Sequence, residues 1–273
     1  MEREELEEER GRKARIIIIG SELLKGIVRD INLFFIGREL VKLGFYVDKA
    51  VFLNDEMNDI VTELVDAVKE VDLVIVTGGL GPTQDDLTRY AVSRAFGRPL
   101  RLSKKVFEKL SKLYRDRNER EKRIRICYIP ENAEVLDNRV GVAPGFYLKV
   151  KSTHVFILPG VPMEVQEMFV NQVLPILKKL YSLDREKIDF TAIKFSKIRE
   201  KNLEDIIMDV LEKKNLRLYY KIVIEEHFLV LNIYFPKDIA TYVRELVYLI
   251  IKEVKTRYPQ AEYEFMIGAG GGI

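Results

Sequence analysis

The chain has no tryptophan, one cysteine and two histidines among its 273 residues. Cys127, being alone, cannot form an intrachain disulfide, so no disulfide framework supports the fold, and such usage fits a reducing compartment. It precedes an apolar run and reads as a small core residue rather than a nucleophile. His154 and His227 stand at no metal-ligand spacing, which removes the ordinary His/Cys metal sites. No nucleophile elbow or Ser/His/Asp set can be assembled, and neither Walker A nor G-x-G-x-x-G follows the first strand. There is no signal-peptide pattern, and no apolar stretch approaches the roughly 20 residues that cross a bilayer. The expectation is a cytoplasmic protein without a membrane partner. Net charge is also small: 45 basic and 43 acidic residues leave +2, so wholesale nucleic-acid binding is not expected.

What is present is ample apolar material, 47% of residues, in a chain long enough for one large domain or two ordinary ones. Charged residues reach 32%, and Lys/Glu-rich usage of this kind fits a hyperthermophile source. Residues 1–14 are almost all Glu, Arg and Lys and predict a solvated extension without a functional role. Order is expected to begin at the strand Arg15–Ile19, which ends at Gly20. A helix follows over 31–43, with Leu33, Ile36, Leu40 and Leu43 at helical spacing and Gly44 as its C-terminal cap. Phe45–Leu53 is the second strand. Ile60, Val61, Leu64, Val65 and Val68 mark a second helix, Asp72–Thr77 is the third strand, and a helix is expected over Asp85–Phe96.

This alternation predicts an α/β fold with a mostly parallel sheet covered on both faces. Ligands in such sheets bind beyond the C-terminal strand ends, which here are Gly20, Asn54-Asp55 and Gly78-Gly79. Further on, Ser103–Arg115 reads as a helix burying Val106, Leu110 and Leu113. Between Lys112 and Arg125 seven basic residues face three acidic ones, read as a solvated surface rather than a phosphate-steering patch. Strands at Phe146–Val150 and His154–Leu158 lead to Pro159-Gly160, with Pro162 and Glu164 in the first turn of another helix. The pattern changes around Tyr181–Glu186. Residues 185–265 then form a small α+β domain, with strands at Ile188–Phe195, Arg217–Ile224 and Phe228–Phe235 and helices at Asn202–Lys213 and Ile239–Val254. Glu225-Glu226-His227 is its expected hairpin turn. Residues 266–273 read as a flexible tail.

The chemistry concentrates in the run from Val74 to Thr88. A β-branched strand ends in Gly78-Gly79-Leu80-Gly81 and opens onto a helix whose first turn holds Asp85 and Asp86. Glycines allow close backbone approach, and helix N-termini favour anions. Two carboxylates there would repel a bare phosphate, and a divalent cation or proton transfer to water reconciles them. The plainer roles are Asp85 as helix cap and Asp86 as a favourable first-turn charge. Asp55 and Asn32 likewise read first as helix N-caps and second as ligand contacts. Glu22 and Glu164 divide evenly between first-turn charges and site residues.

Gly20-Ser21-Glu22-Leu23-Leu24, Asp30-Ile31-Asn32, the segment from Thr77 to Thr88, Asn138 to Gly145, and Leu158 to Glu164 together resemble the CinA N-terminal region of the MoaB/MogA-like molybdopterin-binding family. The resemblance covers residues 15–180, and 185–265 resemble the KH-like α+β domain that follows in the same proteins. It implies a three-layer α/β fold, a site at the sheet's C-terminal edge and a homo-oligomer. It also implies metal-dependent ADP-ribose pyrophosphatase activity with Mg²⁺, Mn²⁺ or Co²⁺. The alternative is binding of a nucleotide or pterin phosphate in molybdenum-cofactor metabolism without hydrolysis. The deamidase domain of longer members has no room here, so deamidation is not expected. By position, Thr77, Gly78, Gly79 and Gly81 would cradle phosphate, with Thr83 in the same loop. Asp85 and Asp86 match the acidic pair, as catalytic groups and metal ligands, and Glu22 the acid after the first strand. Pro159, Gly160 and Glu164 match the late loop, with Asn32 and Asp55 as further contacts. Ser21 stands where Asp or Asn is usual, and Asn54 where Gly is common. An RNA-binding role for the second domain is not expected, because it lacks the Gly-x-x-Gly clamp.

Overall fold

All five residues of the strand Leu73–Thr77 are buried, a pattern that requires apolar cover on both faces of the sheet. A computed structural model of the chain describes residues 12–183, 188–216 and 218–266. The chain divides into two units, Met1–Asp184 and Arg185–Ile273.

In the first unit the elements are β1 (Arg12–Ile19), α1 (Ser21–Leu24), α2 (Asn32–Lys42), β2 (Phe45–Leu53), α3 (Met57–Glu70), β3 (Leu73–Thr77), α4 (Thr88–Phe96), β4 (Leu100–Leu102), α5 (Lys104–Leu113), α6 (Arg117–Arg123), β5 (Tyr128–Pro130), β6 (Glu134–Leu136), β7 (Gly145–Val150), β8 (Thr153–Leu158), α7 (Pro162–Met168) and α8 (Leu174–Leu180). A π-helical turn, Phe169–Val173, links the last two helices. The main sheet runs β2-β1-β3-β8-β7-β6, with β4 and β5 paired separately. The pairs β1–β2, β1–β3 and β3–β8 are parallel, whereas β6 and β7 are antiparallel additions at one edge. The expected mainly parallel α/β architecture holds.

Strand periodicity explains the three layers. Ile16 and Ile18 of β1 pack with Ile36 and Leu40 of α2 and with Val165, Met168 and Phe169. Ile17 and Ile19 point the other way, onto Ile60 and Leu64 of α3 and Ala91 and Val92 of α4. Each such buried aliphatic side chain contributes roughly 1.5–3 kcal/mol. Arg15, within this run, is 1% exposed and lies against Asp48 (3.3 Å), Glu63 (3.1 Å) and Glu70, so its buried charge is matched by three carboxylates.

Several local expectations are corrected. β1 begins at Arg12 rather than Arg15, because Arg12, Lys13 and Ala14 find ladder partners in Phe45, Tyr46 and Val47. The rest of the 1–14 extension lies outside the described residues. α4 begins at Thr88, so Asp85 and Asp86 belong to the preceding loop and not to a helical turn. Asn32 is the first residue of α2 rather than its N-cap; the Leu33 N–H donates instead to Asp30 Oδ1, at 2.8 Å. Asp55 does not cap α3, whose N-cap position is Glu56 without a side-chain bond. Leu113 is 54% exposed, since the cluster of Val106, Leu110, Ile126 and Cys127 ends one turn earlier. Cys127 is buried in that cluster, as expected of a core residue.

The second unit contains β9 (Ile188–Ser196), α9 (Glu200–Lys213), β10 (Tyr219–Glu225), β11 (Phe228–Pro236), α10 (Ala240–Arg257) and β12 (Glu262–Phe265). The expected small α+β domain is present. Its antiparallel sheet has the order β10-β11-β9-β12, and with the sequence β-α-β-β-α-β this is the split βαβ arrangement. Ile206 and Val210 of α9 and Leu246 and Ile250 of α10 pack with Ile193, Leu231 and Ile233. Glu225 pairs with Phe228, so Glu226-His227 is a two-residue hairpin turn where one was expected. β12 was not anticipated, being a short, exposed edge strand. Of the tail, 267–273 lie outside the described residues. Among the described residues no helix is long and apolar enough to cross a membrane.

Candidate functional site

Because β2, β1, β3 and β8 are parallel, their exits meet at one sheet edge: Leu53 beside Ile19, and Thr77 beside Leu158. There they surround a cleft of about 1030 Å³. Its wall includes Glu22, Asn32, Asp55, Thr77, Gly78, Gly79, Gly81, Asp85, Asp86, Pro159, Gly160 and Glu164, gathering residues from five separate sequence segments. Thr83 is not part of the wall.

The glycine loop is held from several sides. Gly78 has φ +98°, its N–H donates to Leu158 O at 3.1 Å, and a Cβ there would fall 2.0 Å from Ile19 O. Gly79, at φ +65°, lies against the Thr88 hydroxyl. The Asp86 carboxylate accepts from Gly81 N–H (2.7 Å), Thr83 N–H (2.8 Å) and the Thr83 hydroxyl (2.6 Å). Asp86 and Thr83 thus clasp the loop, and the Gly78 and Gly81 amides expected to cradle phosphate already have partners. The amides of Gly79 and Leu80 have no hydrogen-bond partner among the described residues. Asp85 lies in the cleft wall with no hydrogen bond or ion pair among them.

Around this loop, Ser21 N–H donates to Asp55 Oδ2 at 2.9 Å while Asp55 N–H donates to Ser21 Oγ at 3.1 Å, tying the exits of β1 and β2 together. The Glu22 carboxylate folds back over Gly20, where a Cβ would meet its Oε1 at 2.7 Å. Asn32 Nδ2 donates to Gly160 O at 2.9 Å. Two buried acceptor-capable atoms in the wall, Asn32 Oδ1 and Thr77 Oγ1, have no hydrogen-bond partner among the described residues. Native buried polar atoms are rarely left so, and an orphan in a cleft points to a ligand or water.

Glu164 sits in the first turn of α7, with Oε2 accepting from Asn138 Nδ2 at 3.0 Å. Burial pushes its carboxyl above the usual range, only partly offset by that hydrogen bond. Among the described residues no three His, Cys, Asp or Glu side chains are grouped to hold a metal ion.

Sequence reasoning missed Arg89 and part of the basic stretch, and it named Asn138 only as the start of a motif, without a site role. Arg89 is 1% exposed and donates to Gly81 O (3.0 Å) and Leu80 O; its signal was its place one turn before buried Val92. Asn138 organises the 138–143 turn through Ala143 O, Val140 N–H and Gly141 N–H. Arg123 lines the cleft, and Arg125 donates to Thr83 O at 2.9 Å, so the basic stretch is not wholly a solvated surface.

A three-layer α/β sheet with a glycine-loop cleft at its C-terminal edge defines the open-sheet class, in which ligands bind at that edge. The chain belongs to the family described as "Probable molybdopterin binding domain", whose model matches residues 15–179. It is 39% identical over 209 residues to a CinA-like protein of Thermotoga sp. (strain RQ2), covering 75% of this chain and 49% of that one. It is 38% identical over 204 residues to a Clostridium botulinum protein named for competence-damage induction, covering 74% and 49%. The chain therefore spans about half the length of these curated relatives. The crystal structure of CinA from Thermoplasma acidophilum matches with a TM-score of 0.58 and 32% identity, covering 61% of this chain and 99% of that one. The chain is thus CinA-like, of the MoaB/Mog type.

Proposed function

We propose that the cleft binds the diphosphate of a nucleotide, ADP-ribose foremost, and hydrolyses it with the help of a divalent cation. The observation that carries this reading is that the amides of Gly79 and Leu80 and the carboxylate of Asp85, all in the cleft wall, have no partner among the described residues. Main-chain amides offer an anion fixed dipoles that need no reorganisation. The donor set fits a cation only in part. Asp86 is committed to the loop, and no cage of three ligands exists among the described residues. Mg²⁺ is commonly held by one or two carboxylates plus substrate phosphates, so Asp85 is the residue suited to it. Bound there, Mg²⁺, Mn²⁺ or Co²⁺ would polarise a phosphoryl oxygen and acidify a water. With Asp85 on the cation, Glu22 would take the proton, and Asp86 and Thr83 would keep the loop in shape. Purified protein supplied with ADP-ribose and each cation should release AMP and ribose 5-phosphate. Asp85→Asn should lower kcat by about 10²-fold or more; an unchanged rate contradicts the assignment.

A second reading, binding of a pterin phosphate without hydrolysis, is favoured by the family match and by the lack of a ready-made metal cage among the described residues. Affinity for molybdopterin together with no turnover of ADP-ribose under any of the three cations would select it.

A further inference from the structure

We infer that Thr88 and Arg89, the first two residues of α4, are positioning residues that turn the glycine loop inside out so that its amides face an anion. The inference rests on reading this loop as an anion cradle, and it names what builds the cradle.

Three successive carbonyls of the loop are gripped by the start of the helix. Gly78 O accepts from the Thr88 hydroxyl at 2.8 Å, Gly79 O accepts from Thr88 N–H at 3.1 Å, and Leu80 O accepts from Arg89 Nη2. A trans peptide is planar and points its N–H opposite to its C=O. Drawing these three carbonyls toward α4 therefore turns the amides of Gly79, Leu80 and Gly81 away from it. The Gly81 amide already holds an anion, the Asp86 carboxylate, at 2.7 Å. The other two have no partner among the described residues, and both residues line the cleft. A row of main-chain amides with one carboxylate in place is an anion nest with room for a second anion.

Arg89 is the unusual member. It is 1% exposed, and its guanidinium has no ion pair among the described residues, only the carbonyls of Leu80 and Gly81. Its Nε has no hydrogen-bond partner among the described residues. Burial pushes its pKa down to about 10, the sign of a cation held at a cost. The Leu80–Gly81 peptide is consequently fixed at both ends, Arg89 on its oxygen and Asp86 on its nitrogen. A lysine would meet the two carbonyls from a single nitrogen, without the planar two-nitrogen fork that sets their spacing. An anion lodged on the free amides would also offset the buried positive charge below the loop.

The test is binding of inorganic pyrophosphate, followed by calorimetry on the full chain. Arg89→Met, an apolar replacement of similar length, should keep the far-UV spectrum and Tm of the parent while weakening pyrophosphate at least tenfold. Arg89→Lys should recover only part of the loss. In Arg89→Ala, added guanidinium ion should restore affinity, an effect that a purely packing role would not produce. Pyrophosphate affinity unchanged in folded Arg89→Met overturns the inference, as does failure of guanidinium to rescue Arg89→Ala. So does a parent chain that binds no pyrophosphate. A parent that binds pyrophosphate yet leaves ADP-ribose intact overturns the hydrolase reading and leaves this inference standing.

Discussion

The side-chain amide of Asn32 donates to the carbonyl of Gly160 at 2.9 Å, joining positions 128 residues apart. Asn32 is 4% exposed, and this part-buried bond at the cleft wall fixes the start of α2 against the exit of β8. Gly160 in turn lies close behind Gly78, where its own Cβ would come within 3.3 Å of Gly78 Cα. The tether therefore sets the floor on which the glycine loop rests.

Asn32→Leu should leave the Gly160 carbonyl unpaired and cost about 1–3 kcal/mol. Urea unfolding monitored by circular dichroism reads this directly. A variant as stable as the parent would show that the tether carries nothing.

Thr77→Val should behave in the opposite way. Thr77 is fully buried and its hydroxyl has no partner among the described residues, so removing it should leave stability unchanged or raise it by up to about 1 kcal/mol. Differential scanning calorimetry would expose the contrary case, a fall in Tm, which requires a bonded hydroxyl.

Gly78→Ala and Gly97→Ala form a matched pair. Both glycines have positive φ, but an added Cβ meets Ile19 O at 2.0 Å in the first and nothing within 4 Å in the second. Gly97→Ala should cost about 1 kcal/mol for the strained conformation alone, whereas Gly78→Ala should exceed about 3 kcal/mol because the backbone must move. Equal losses in equilibrium denaturation would deny any close approach at β1.

Glu164 gives a pH signature. Burial raises its carboxyl above the ordinary 4.5, so the folded chain holds this proton more tightly than the unfolded chain. Its contribution is complete below the unfolded value and is lost as pH rises through the folded value. Glu164→Gln removes that loss, so its stability relative to the parent should increase as pH rises from the ordinary 4.5 through the raised folded value. A difference independent of pH, measured by urea titration across this range, would rule out a raised carboxyl.

The strands, the two-sided cover of the sheet and the strand-exit location of the cleft were legible because buried parallel strands and amphipathic helices leave periodic patterns. β3 is the clearest case: five apolar or β-branched residues followed by glycines. The helix beginning at Thr88 was misjudged by three residues because Asp85 and Asp86 look like first-turn acids, and only the bonds from Asp86 to Gly81 and Thr83 reveal a loop. Asn32 and Asp55 were read as caps for the same reason. A side chain suited to a local bond can as well make a distant one, and sequence spacing does not distinguish the two.

Sequence by itself determined the layers, the glycine loop and the set of acidic and polar residues from which the cleft is built, since these follow from short-range periodicity and from the backbone freedom of glycine. Only the tertiary structure decided which of those residues are spent on holding the loop and which stay open. Hydrogen-bond partners across parallel strands lie tens of residues apart, and whether a carboxylate or an amide is already satisfied is fixed by what packing brings beside it.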